Sequence, residues 1–334
     1  MIGLTLGKFM PLHKGHLALI EFAAAQCERL LVLVCASDQE DISGEMRLDW
    51  VRATTRHLGN VEPVLFPYNE ALLPNTSVSS QSVSEVWAMA LKSQFPEVDT
   101  FFSSEPYGEF VAQSWGIAHI SFDPSRQFTP ISATQIRATP LRYWDFLPDV
   151  VKPFFVQKVG ILGTESTGKS TLAAQLAKHF KTEFVPEMAR QVLGKSEDCT
   201  PEDLYEIAKC HADMIQEKAN AASKWLFLDT TVHITQSYAQ FSFGTSDFWK
   251  NAPFAASLIQ QIEAANRCAL YLYLEADAPF VQDGTRLDEA SRNRLDVCHQ
   301  ATLERQNIPF HRISGTWHEQ FEQACRLVER LEHR

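Results

Sequence analysis

The chain has 334 residues, enough for two domains that each bury a core, and its 45% hydrophobic and 21% charged content excludes a disordered or fibrous protein. A formal net charge of −11 weighs against a dominant nucleic-acid surface, yet it leaves room for small anions held by local donors. No apolar run reaches the ~18–20 residues of a membrane span, so no membrane insertion is expected, and seven scattered cysteines without a C-x-x-C pair suit a reducing cytoplasm.

Residues 2–6 are a short apolar run that predicts a buried strand, with no signal peptide before it. The loop that follows reads Gly7-Lys8-Phe9-Met10-Pro11-Leu12-His13-Lys14-Gly15-His16. Gly7 and Pro11 shape a tight turn, and Gly15 lets the backbone approach a phosphate with no β-carbon in the way. His13 and His16 stand three apart, so at the start of a helix they project towards one side. Two imidazoles beside a helix N-terminus suit the charge that builds on a phosphate during in-line displacement. Helical spacing then covers residues 15–26, 45–57, 83–94 and 107–115, and short strands fit 30–35, 61–66, 100–103 and 119–122. This alternation predicts a parallel sheet with helices on both faces. Ile131-Ser132-Ala133-Thr134-Gln135-Ile136-Arg137 opens a further helix, with Ser132 as its N-cap and Thr134 and Arg137 in its first turns.

Prolines 140, 148 and 153 then break the rhythm in an aromatic-rich stretch, which reads as a packed connector rather than a polar linker. The expected division is residues 1–147, a connector at 148–158, and a second α/β unit at 159–334. The strand at 159–162 leads into Gly163-Thr164-Glu165-Ser166-Thr167-Gly168-Lys169-Ser170-Thr171, a complete G-x-x-x-x-G-K-S loop. Its backbone N–H groups cradle phosphates, Lys169 bridges them, and the Ser170 hydroxyl can ligate Mg²⁺. Strands are predicted at 182–185, 225–229, 270–274 and 310–313, and a last helix at 319–331. Glu187 and Arg190 follow the strand at 182–185, as a proton acceptor and a substrate contact. Asp229 closes the strand at 225–229, where it can hold Mg²⁺ directly or through water. Arg286, Arg292 and Arg294 read as a lid over the phosphates.

The histidine loop and the I-S-x-T-x-I-R element resemble the nucleotidyltransferase superfamily, in which Ser132, Thr134 and Arg137 would hold the departing pyrophosphate. With Ser103-Ser104-Glu105, the Tyr143-Trp144 connector, the phosphate loop, Pro186-Glu187-x-Ala189-Arg190 and Asp283-Gly284-x-Arg286, nearly the whole chain resembles the NadR-type bifunctional family. The resemblance implies a Rossmann-like nucleotidyltransferase joined to a P-loop kinase. It implies adenylyl transfer from ATP to nicotinamide mononucleotide, giving NAD and pyrophosphate, and phosphorylation of nicotinamide riboside, with Mg²⁺. Trp87 or Trp115 would stack on the pyridine in the first unit and Phe280 in the second, where the family carries Trp. Thr231 stands where members often carry Asp, which keeps alive a second reading of that unit as a nucleotide sensor. With the first strand at Ile2, no DNA-reading helix is expected. A homo-oligomer is compatible with the sequence.

Overall fold

Five parallel strands form the first sheet: β1 (Ile2–Gly7), β2 (Arg29–Ala36), β3 (Val61–Pro67), β4 (Thr100–Ser103) and β5 (Ala118–Ser121), in the order β3-β2-β1-β4-β5. The computed structural model describes residues 1–74, 80–125, 127, 130–192, 199–245, 247–276 and 288–332, except the side chains of Arg190 and Gln191. It divides into two compact units, Met1–Lys152 and Pro153–Arg334. In the first, parallel pairing forces each return through a helix: α1 (Lys14–Ala24), α2 (Gly44–Thr55), α3 (Gln81–Gln94) and α4 (Tyr107–Trp115), with α5 (Ala133–Ala138) after β5. The strand order reverses between β1 and β4. The crevice outside their carboxyl ends is therefore where an open α/β sheet takes a ligand. Beneath it Leu4, Leu31, Leu33, Phe101, Val111 and Trp115 share one core.

A short helix, α6 (Lys152–Phe155), precedes the second sheet. That sheet is again parallel: β6 (Gln157–Leu162), β7 (Glu183–Val185), β8 (Trp225–Asp229), β9 (Leu270–Leu274) and β10 (His311–Ile313), in the order β10-β9-β6-β8-β7. The helices are α7 (Lys169–Phe180), α8 (Ala189–Val192), α9 (Pro201–Ala219), α10 (Val232–Phe243), α11 (Ala256–Asn266), α12 (Glu289–Arg305) and α13 (Trp317–Leu331). β6 is central, with β8 and β9 on its two sides, so the loop after it again leaves from a switch point. Among the described residues no helix is long and apolar enough to cross a membrane.

Element starts differ from the sequence expectation where a cap, not the first apolar residue, sets the boundary. α13 begins two residues before the predicted 319 because Thr316 and Glu319 form a capping box. α2 begins behind the N-cap Ser43, whose hydroxyl accepts from Met46 N–H.

Candidate functional site

At the switch point of the first sheet lies a cavity of about 430 Å³. Gly7, Lys8, Phe9, His13, Gly15 and His16 line it from the first loop, Ser132 and Thr134 from α5, and Trp87 from α3. Ser103, Ser104 and Glu105 close it from the end of β4. The fold thus brings two motifs more than a hundred residues apart onto one cavity. Trp115 lies in the core, 4% exposed, and is not among the cavity's walls.

His13 is the N-cap of α1, and its Nδ1 accepts from Gly15 N–H at 3.2 Å. His16 completes a capping box, its Nδ1 accepting from His13 N–H at 3.4 Å. The rings stack with centroids 3.7 Å apart and planes 25° from parallel. An imidazole whose Nδ1 accepts must carry its hydrogen on Nε2. Both rings are therefore fixed as Nε2–H donors by backbone that the helix start would otherwise leave unpaired. Phe9, buried and at φ +48°, sets its ring edge-on to His16, centroids 5.0 Å apart.

α5 is joined to this loop by Arg137, whose Nη1 donates to Met10 O and Nη2 to Thr134 Oγ1 (3.3 Å). Ser132 and Gln135 form the capping box that starts α5. Trp87 donates from Nε1 to Pro74 O (3.1 Å) and packs edge-on against Tyr68, centroids 5.2 Å apart.

Sequence reasoning missed the support under the loop. Arg47 of α2 is fully buried and donates to Lys8 O (2.6 Å), Cys35 O (3.0 Å) and Glu40 Oε2 (2.5 Å). Lys8 Nζ lies 2.8 Å from Glu40 Oε1 and 3.6 Å from Glu70. Burial alone would raise the Glu40 carboxyl, but hydrogen bonds from Lys8 and Ser37 N–H, with the nearby Arg47 and Lys8 charges, hold it below the ordinary range. Burial alone would lower Lys8, but Glu40 and Tyr68 hold it above its ordinary value.

In the second unit the phosphate loop turns through three left-handed residues, Gly163 (φ +138°), Ser166 (φ +62°) and Gly168 (φ +87°), the last capping α7. A β-carbon on Gly163 would sit 2.7 Å from Leu274 O, so only glycine fits the turn. Thr164 O accepts from Thr167 Oγ1 (2.9 Å) and from Lys169 Nζ (2.8 Å). Ser170 and Thr171 are exposed at the start of α7.

Arg292 departs from its expected place. It is 2% exposed on α12, donates from Nε to Glu165 O (2.9 Å), and its carbonyl accepts from Thr164 Oγ1 (3.4 Å). These contacts brace the loop at Thr164 and Glu165, where the sequence predicts an exposed lid residue. The spacing of Arg292 with buried Leu295, His299 and Leu303 puts it on the apolar stripe of α12, which explains the difference. Arg286 and Phe280 lie outside the described residues, as does the side chain of Arg190.

Tyr238 of α10, which no motif marks, donates to Glu165 Oε1 (3.2 Å). Burial first, then the Glu165 and Glu187 charges, push its hydroxyl well above the usual range. Asp229 ends β8 almost fully buried, and Thr231, also buried, caps α10. Among the described residues no group of three or more His, Cys, Asp or Glu side chains is placed to hold a metal ion by itself.

The sequence matches the citrate lyase ligase C-terminal domain family over residues 7–69 and the AAA domain family over residues 158–320. It is 33% identical to the trifunctional NAD biosynthesis/regulator protein NadR of Escherichia coli (strain K12), a match covering 93% of this chain and 78% of that protein. A crystal structure of a NadR protein in complex with NAD and AMP-PNP shares the fold, with a TM-score of 0.80, 22% identity and coverage of 100% and 96%. One of a NadR protein in complex with NR does so with a TM-score of 0.81, 22% identity and coverage of 99% and 96%.

Proposed function

Since the chain belongs to the NadR family, we propose that it makes NAD through two separate reactions, one in each unit. The first unit transfers the adenylyl group of ATP to nicotinamide mononucleotide. The second phosphorylates nicotinamide riboside to that mononucleotide, so one product feeds the other site. The observation that carries this reading is the pair of Nε2–H donors fixed by the helix-capping histidines on the 430 Å³ cavity.

In the first reaction a phosphate oxygen of the mononucleotide attacks the α-phosphorus of ATP, and the bond to pyrophosphate breaks. Charge grows on the α-phosphate oxygens, where the donors of His13 and His16 and the start of α1 meet it. Ser132, Thr134 and the α5 N-terminus receive the departing pyrophosphate, and Trp87 offers a ring for the pyridine. In the second reaction the riboside hydroxyl attacks the γ-phosphorus and gives its proton to Glu187, the bond from that phosphorus to the bridging oxygen breaks and ADP leaves, while Lys169 and the loop N–H groups hold the phosphates. Oxygen donors suit Mg²⁺, and the Ser170 hydroxyl with the Asp229 carboxylate at the strand end fits it, mostly through water and phosphate oxygens. Such an ion would neutralise phosphate charge. The seven thiols, none in a disulfide, suit a reducing cytoplasm.

The test is two product assays on the full chain: pyrophosphate from ATP and the mononucleotide, and ADP from ATP and the riboside. His16→Ala should cut the first by about 10²–10³ and spare the second. Lys169→Ala should do the reverse, with circular dichroism confirming folding. Loss of both activities from either folded variant would mean one composite site and would end the two-reaction reading. Riboside-independent nucleotide binding by the second unit, without ADP formation, would make that unit a sensor.

A further inference from the structure

Trp317 is a large apolar side chain left 54% exposed, and it stands against the phosphate loop of the second unit. A β-carbon on Gly168 would lie 2.0 Å from its Cζ3 and 2.4 Å from its Cη2, so the six-membered ring occupies the space that glycine leaves open. Gly168 immediately precedes Lys169, so the indole sits beside the backbone that would face a nucleotide's phosphates.

The ring is held by a fixed turn, not by a loose surface segment. Thr316 caps α13, with its hydroxyl accepting from Glu319 N–H at 3.4 Å and Glu319 Oε2 accepting from Thr316 N–H at 2.8 Å. Gly315 takes φ +98°, its carbonyl accepting from Gln320 Nε2 at 3.2 Å. Ser314 O accepts from Gln323 Nε2 at 2.8 Å. An aromatic with part of its surface on a glycine, the rest in water and its backbone fixed has little rotamer freedom left to lose when a second flat ring covers it.

We infer that Trp317 is the stacking platform for the base of the nucleotide whose phosphates lie on the Gly163–Ser170 loop. The inference rests on the reading that this loop holds ATP for the riboside kinase reaction. It adds a specificity element: a π-face takes any base, and a purine, with more area, stacks better than a pyrimidine. The ring makes no contact with the phosphates and no step of the chemistry passes through it.

The experiment uses the full chain with Trp317→Ala and Trp317→Phe, following ADP formation from nicotinamide riboside. Trp317→Ala should raise the KM for ATP by about 5- to 150-fold at unchanged kcat, and narrow the preference for ATP over CTP. Trp317→Phe should stay within about fivefold of the parent, because a smaller ring still stacks. Inorganic tripolyphosphate, which has phosphates and no base, should inhibit all three proteins with the same Ki. ADP should quench a component of tryptophan emission that Trp317→Phe lacks. An unchanged KM for ATP would overturn the proposal. So would tripolyphosphate weakening in step with ATP, since the ring would then only shape the loop. Lys169→Ala retaining full ADP formation would overturn the loop's kinase role itself, a failure distinct from either of these.

Discussion

Replacing Arg47 with Met tests whether a buried guanidinium holds the adenylyl-transfer loop in place. Methionine fills the volume of the arginine stem but supplies none of the donors to Lys8 O, Cys35 O and Glu40. Removing one partner of a buried ion pair costs about 3–5 kcal/mol. Glu40 keeps Lys8 at 2.8 Å, which favours the lower end, while the Lys8 and Cys35 carbonyls each lose a donor, which restores some of the cost. Against a domain stability of about 5–15 kcal/mol, the first unit should remain folded but melt earlier. At about 2–4 °C per kcal/mol, the fall in Tm is about 6–20 °C. Calorimetry of the full chain reads it, with the affected transition assigned by loss of pyrophosphate formation on stepwise heating. Pyrophosphate formation should fall even well below the melt, because the Lys8 carbonyl is no longer pinned, while ADP formation from the riboside stays level. Adding Glu40→Gln should cost less than the sum of the two single changes, by about 0.5–3 kcal/mol, since the charge left behind is gone. An Arg47→Met protein that melts within 2 °C of the parent would refute the reasoning.

Two further expectations follow from the second unit. Gly163→Ala puts a methyl group 2.7 Å from Leu274 O at φ +138°, so ADP formation should drop at least about tenfold with pyrophosphate formation unchanged; retention within twofold would show that the loop relaxes freely. Burial depresses His211 to about 4, and burial with the nearby Lys169 charge depresses His299 to about 3, from an ordinary 6.5. Between those values the unfolded chain binds protons that the native chain refuses, so stability present above pH 6.5 is lost as pH falls towards 4, by about 3 kcal/mol from His211 alone. Denaturant titration at pH 7 and pH 5 reads the difference, and equal midpoints would contradict it.

The two sheets and both loops were legible because each rests on local signals: an apolar run, a glycine turn and a capped helix start. Both histidines could be placed on one side of a helix from their spacing, but their tautomers could not. Those depend on which backbone N–H each Nδ1 meets once the capping box closes. Tyr238 was invisible, since a tyrosine on a half-apolar helix carries no sign that it will meet Glu165 more than seventy residues away.

Arg47 and Arg292 were hidden for a different reason, and it is one shared by both units. Each sits on the buried stripe of its helix, Arg47 in step with Val51 and Thr55, Arg292 in step with Leu295 and His299. Read alone, a charged residue in such a helix is assigned to solvent. The loops explain why these two are not. A loop that turns its N–H groups towards a phosphate must turn carbonyls the other way, into protein, where an unpaired acceptor is costly. Arginine answers with donors on a long stem: Arg47 on Lys8 O, Arg292 on Glu165 O. Two unrelated phosphate loops in one chain thus reach the same remedy, a buried guanidinium from a neighbouring helix. An arginine in register with the apolar stripe of a helix beside such a loop is therefore better read as the loop's brace than as a lid or a surface charge.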